Sequence, residues 1–206
     1  MTRTPPPSPS RYGPTAVALH WLLALALFGT FCLGFYMADL PLSPLRVRLF
    51  NWHKWAGITI LTLSILRLAW RLTHARPADV PTEPWQQRLA RLAHRALYAL
   101  FLLVPLAGWA YSSATGFQVV VFCVLPLPDF VPKSKALADV LENVHATLAW
   151  TLAALVLVHV AAALHHHFVL RDGLLARMWF APRPARRGAA AHRGAAAQQA
   201  GARLNR

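Results

Sequence analysis

Acidic side chains are scarce in this chain. Seven Asp and Glu stand against 21 Lys and Arg in 206 residues, a formal charge of +14. All seven carboxylates lie in connecting segments or at the ends of apolar runs. A proton or metal path through a membrane wants acidic partners within the spans, and none is there. Cysteine is rarer still. Cys32 and Cys123 are isolated, and no Cys-x-x-Cys occurs. A disulfide framework, a Cys-based zinc site and an iron–sulfur cluster therefore all lack ligands. Cys32 falls inside an apolar run and reads as a small apolar filler. Gly-rich phosphate loops and soluble repeats are also missing. The basic excess is confined to segments between and after apolar runs, which fits cytoplasmic loops and not a nucleic-acid surface.

What the chain has in quantity is apolar length. Hydrophobic residues make up 56% of it and charged residues 14%, too apolar for an ordinary soluble domain. Four runs are long enough to cross a bilayer, at about 15–37, 52–72, 92–112 and 143–168. The expected fold is all-α, an integral membrane four-helix bundle. The first run is too long for a signal-peptide core and is expected to be retained. Pro105 lies inside the third and predicts a kink, with neighbouring helices satisfying the freed carbonyl. Residues 1–10, with Pro5-Pro6-Pro7, and residues 181–206, rich in Ala and Arg, read as disordered tails around a domain at 11–180.

Charge sets the topology. Arg3 and Arg11 precede the first span. Arg67, Arg71, Arg76, Arg88, Arg91 and Arg95 surround the second loop, and Arg171, Arg177, Arg183, Arg186 and Arg187 follow the fourth span. The other two loops are poorer, with Arg46, Arg48 and Lys54 in one and Lys133 and Lys135 in the other. Both termini are therefore expected in the cytoplasm. The second outer loop, Ser113 to Glu142, carries an apolar run from Phe117 to Leu127. Eleven residues are too few to span, so this run is expected at the interface or folded over the bundle.

The chemistry lies in histidines. His145 and His159 are fourteen residues apart in an otherwise apolar run. Fourteen residues of helix advance nearly four turns, so both rings share one face about 21 Å apart. Histidine within a span points to function. The same interval recurs in the other spans: His20 with Gly34, His53 with Arg67, His94 with Gly108. The alternating topology then places His53 and His145 at the outer depth. His20, His94 and His159 fall at the inner depth.

Two neutral imidazoles from facing helices of a bundle suit a b-type haem, and two such pairs suit two haems. The outer pair is His53 with His145, and the inner is His20 with His159. His94 is an alternative inner ligand, or else a propionate or quinone contact, or a boundary polar group. Gly34 and Gly108, at the outer depth, either leave room for a macrocycle or permit close helix packing. Arg67, at the inner depth, either binds a propionate or snorkels to the interface. Lys54 lies near the outer pair but can point away from it. His165, His166 and His167 read as a solvated cluster at the membrane boundary, and His74 and His192 carry no assigned role.

At these residues the chain resembles the bacterial branch of the cytochrome b561 family. The matching pieces are Leu19-His20-Trp21, His53-Lys54-Trp55-Ala56-Gly57, Ile65-Leu66-Arg67, the span from His94 to Gly108-Trp109 with Pro105, and His145 to His159 followed by His166-His167. The resemblance covers about residues 11–180. It implies two haem b groups per chain in the bacterial inner membrane, and electron exchange between a donor and the quinone/quinol pool. Superoxide:quinone oxidoreduction is one activity within that implication. The run from Phe117 to Leu127 offers quinone an outer wall, while His94 and Arg67 offer inner hydrogen bonds. Two rivals remain: a haem-bearing anchor subunit of a larger redox complex, and a four-helix proton or metal transporter. Association as a homodimer is left open.

Overall fold

In a computed structural model, residues 11–74, 77 and 83–179 are described. The expected tails at 1–10 and 181–206 lie outside the described residues, as do Arg76 and His192. Four long helices follow in order: α1 Pro14–Ala38, α2 Pro44–Thr73, α3 Pro84–Thr115 and α4 Lys135–His165. All four are long and apolar enough to cross a membrane. The shortest, α1, has 25 residues. At about 1.5 Å per residue that exceeds a hydrocarbon core of about 30 Å.

α2, α3 and α4 start well before their apolar runs, because local chemistry sets where the helices begin. Proline opens α1, α2 and α3, where its missing N–H costs nothing and its φ is already helical. Ser43 caps α2 by accepting from the Arg46 amide at 3.2 Å, and Ser134 caps α4 by accepting from the Leu137 amide at 3.4 Å. Gly116 ends α3 in the left-handed conformation at φ 77°. Pro105 sits buried inside α3.

The helices pack α1 on α2, α2 on α3, and α3 on α4. Phe31 of α1 meets Trp150 of α4 edge-on at 5.1 Å and closes the ring. The core forms around Leu97, Leu100 and Leu152, with Leu27, Phe101, Val104, Leu148, Leu155 and Val156 against it. Leu152 lies midway between His145 and His159, so this apolar cluster fills the space between the two histidine depths. Elsewhere large apolar side chains point outward, among them Leu25, Phe28, Leu66 and Leu157. Facing lipid, they incur no cost.

The outer loop is a short antiparallel hairpin, β1 Val120–Val121 with β2 Leu125–Pro126, paired Val120 to Pro126 and Val121 to Leu125. At the inner end the chain leaves α4 through a π turn, His166–Leu170, and a 3-10 turn, Leu175–Met178. It returns to α1, where the Trp21 Nε1–H donates to the Met178 carbonyl at 2.8 Å and the Tyr12 amide donates to the Arg177 carbonyl at 3.4 Å. The start of α1 and the end of α4 thus share one end of the bundle.

Candidate functional site

The structure brings the interval-spaced histidines together at two levels. At the outer level the His53 ring of α2 faces the His145 ring of α4 at 6.1 Å between centroids, with planes at 86°. At the inner level His20 of α1 and His159 of α4 lie 6.4 Å apart at 69°. His94 of α3 lies 5.6 Å from His159. The inner level therefore holds three rings, with His20 and His94 both against His159.

A bare ion is poorly served here. Among the described residues no group of three or more His, Cys, Asp or Glu is placed to hold one. Each level offers imidazoles alone, so a six-coordinate metal would need its other donors from a macrocycle. The spacing agrees with this. An imidazole nitrogen sits about 2.0–2.1 Å from a first-row metal and about 1.1 Å from its own ring centre, so two rings across one metal have centres roughly 6.3 Å apart. The pairs at 6.1 and 6.4 Å match that span, and the His94–His159 distance of 5.6 Å is tighter.

Local contacts fix the surroundings of each ring. His145 Nδ1–H donates to the Val104 carbonyl at 3.0 Å. That bond sets the tautomer and leaves Nε2 with a free lone pair. His53 Nδ1 is buried without a hydrogen-bond partner. The two glycines lie directly against the outer rings. A Cβ built on Gly34 meets His53 Cε1 at 2.8 Å, and one built on Gly108 meets His145 Cε1 at 3.0 Å. Any side chain at Gly34 displaces the ring, so both glycines serve the imidazoles directly and not only helix packing.

Arg67 reaches across from α2, and its Nη2 donates to His20 Nδ1 at 3.0 Å. Its guanidinium also lies 5.6 Å from the Tyr98 ring centre, and that of Arg71 lies 5.1 Å from the same ring. Arg67 therefore stays inside the bundle at the inner level. Lys54 points away from the outer pair, as its neighbouring position allows, and donates to the Phe117 carbonyl at 2.9 Å. His166 forms a pair with Asp172, and the Leu174 amide donates to the other Asp172 oxygen at 3.0 Å. This member of the boundary cluster is thus held in place and not simply solvated. Burial pushes the Asp172 carboxyl up, but the bonds from His166 and the Leu174 amide outweigh it and hold it below the usual range.

Sequence reasoning passed over Ser64. Its side chain is 3% exposed, and its hydroxyl has no partner. Other helical hydroxyls here, such as Thr59 and Thr62, bond the carbonyl four residues back. Ser64 stands eleven residues after His53 and three before Arg67, on the same α2 face. That register was the signal available for finding it. Tyr98, a further inner-level residue, carries no comparable signal.

The comparisons with known proteins agree with this architecture. A family described as prokaryotic cytochrome b561 matches residues 11–181. Cytochrome b561 homolog 2 of Escherichia coli (strain K12) is 33% identical over 179 residues, covering 83% of this chain and 92% of the relative. Cytochrome b561 homolog 1 of the same strain is 31% identical, with coverage of 82% and 97%. The probable superoxide oxidase CybB of Yersinia pestis is 29% identical, with coverage of 82% and 95%. With the family match running from before the first helix to beyond the last, and with relatives 31–33% identical over most of their length, the chain belongs to the prokaryotic cytochrome b561 family of membrane electron-transfer proteins.

Proposed function

We propose that this protein carries two haem b groups and passes electrons between a donor and the quinone pool. His53 and His145 hold the outer group, and His20 and His159 the inner. One observation carries the reading: two imidazole pairs, at 6.1 and 6.4 Å, at opposite ends of one bundle. Bound by two imidazoles, haem b supplies a reversible one-electron centre without an open coordination position.

The chain's own residues do the rest. Val104 orients His145 through its Nδ1–H. Gly34 and Gly108 keep the space beside the outer rings free of side-chain atoms. Leu97, Leu100 and Leu152 exclude water from the interval between the two levels. Arg67 supplies a cation for a carboxylate at the inner level. In the structure it donates to His20 Nδ1, which places the His20 proton on Nε2. Ligation through Nε2 requires the opposite tautomer, in which Nδ1 bears hydrogen and cannot accept. A His20 that held a haem through Nε2 would thus leave Arg67 free for an anionic partner. His94, in ring contact with His159, is left as a polar group for a propionate or a quinone carbonyl.

The test is pyridine haemochrome analysis per mole of purified protein. A value near two is expected, and a value near one or zero refutes the two-site assignment. The relationship to a probable superoxide oxidase favours a finer reading, with superoxide as the outer donor. Arg46, Arg48 and Lys54 sit at that end and would steer a small anion toward it. Superoxide generated enzymatically should reduce the visible chromophore, and added superoxide dismutase should abolish the reduction. Reduction that persists with the dismutase present excludes superoxide.

A further inference from the structure

The outward stripe of α2 runs through Trp52, Thr59, Thr62, Leu66 and Ala69, all exposed and spaced by three, four or seven residues. In a membrane helix such a stripe faces lipid. Trp55 falls within it, three residues after Trp52 and four before Thr59, yet Trp55 is only half-exposed. The outer hairpin accounts for this. The Trp55 Nε1–H donates to the Val120 carbonyl at 2.7 Å, and its ring lies 5.5 Å from that of Phe122. Lys54, the adjacent residue, holds the Phe117 carbonyl at 2.9 Å. The hairpin is therefore tied to the outward stripe of α2 at its outer end.

Its composition is unusual for a turn in water. No charged residue occurs from Gly116 to Leu127. The turn holds Phe122 at φ 49° and Cys123 at φ 60°, left-handed positions that hairpins in water fill with Asn, Asp or Gly. Phe122, Val124 and Leu125 project outward, at 62%, 81% and 58% exposure. An uncharged apolar strip of this kind, left in water, is an aggregation hazard. It stands at the outer end of four candidate spans and next to the outward stripe of α2, where a bilayer around those spans would have its boundary between headgroups and acyl chains.

We propose that the tip of this hairpin, Phe122 to Leu125, is a membrane-docking element inserted into the outer leaflet of the surrounding bilayer. Its anchors are Lys54 and Trp55, the two residues after His53, so the bilayer holds a lid tied to the helix of an outer histidine. The inference does not depend on the haem count or the identity of the donor.

The experiment uses the full chain in lipid nanodiscs. A nitroxide is attached to Cys123 in a Cys32→Ser background and, separately, to a Val124→Cys variant lacking both native cysteines. Power saturation compares collisions with oxygen, which concentrates in lipid, and with a water-soluble nickel chelate. Greater accessibility to oxygen than to the chelate at both sites is expected. Greater accessibility to the chelate at either site overturns the proposal. Val124→Glu, read from the label on Cys123, should shift the balance toward the chelate, because a carboxylate at that position draws the tip into water. An unchanged balance in that variant counts equally against insertion.

Discussion

Replacing Arg67 by alanine tests the electrostatics of the inner level most directly. Arg67 Nη2 lies 3.0 Å from His20 Nδ1. An imidazole spans about 2.2 Å between its nitrogens and binds a metal at about 2.0 Å, so a guanidinium that leaves Nδ1 for a neighbouring anion would lie about 7 Å or more from a metal on Nε2, and the interaction at about 7 Å is an upper value. At an effective dielectric constant of about 20, two unit charges at that distance interact by about 2.4 kcal/mol. A one-electron couple shifts by about 59 mV for each tenfold change in equilibrium, which makes the full effect about 100 mV. Arg67 is partly exposed, and solvent and salt screen part of this, leaving about 50–100 mV. The sign follows from charge. A nearby cation favours the reduced, less positive centre, so its removal lowers the inner potential. Arg67→Lys keeps the charge and should stay near the wild-type value. Spectroelectrochemical titration in nanodiscs resolves the two centres. An inner potential that is unchanged or raised in Arg67→Ala would refute the reasoning and place the arginine at the lipid interface.

Ligand replacements separate the levels: His53→Ala and His145→Ala should each remove the same outer chromophore, and His20→Ala and His159→Ala the inner one. His94→Ala should keep both in the reduced spectrum; loss of the inner signal there, with retention in His20→Ala, reverses the assignment. Gly34→Ala should displace His53 and lower outer haem content, whereas Gly29→Ala, whose Cβ meets nothing within 4 Å, should leave the spectrum unchanged. Asp172→Asn should lower thermal stability at pH 7 by about 1–2 kcal/mol, the scale of a hydrogen bond to a charged group. The folded carboxyl lies below its ordinary value, so its stabilisation is complete above the carboxylate range and disappears as pH falls through the folded value. Melting curves of the two proteins should therefore converge in acid, and a gap that persists there rules out the ionised Asp172 carboxylate as its source.

Much of this was legible in the sequence because helix periodicity is rigid. Fourteen residues return a side chain to nearly the same face, so the His145–His159 interval and its echoes carried spatial information without any contact being known. Alternating topology then sorted the rings by depth. The sequence pairs His20 with His159 and keeps His94 as the alternative, because both approach His159 from the same level and helix register alone does not separate them. The hairpin was hidden for another reason. Its turn is Phe122-Cys123-Val124, which carries none of the residues that announce a turn, and its hold on α2 depends on side chains some 65 positions away. The clasp of His166 on Asp172 was obscured because the helix ends in a π turn, which shifts the side-chain register at the boundary.

Because α4 contributes a ring to both levels, it works as a spacer with very little tolerance for length changes. One residue inserted between His145 and His159 rotates the second ring by about 100° and turns it away from α1. A seven-residue insertion restores the face but separates the levels by about 10 Å more, and electron tunnelling over such an added gap slows by orders of magnitude. Substitutions on its outward face, at Leu157 for example, can be absorbed by the lipid around it. Insertions and deletions cannot, so variation in this helix should be confined to side-chain identity and the count of residues held constant.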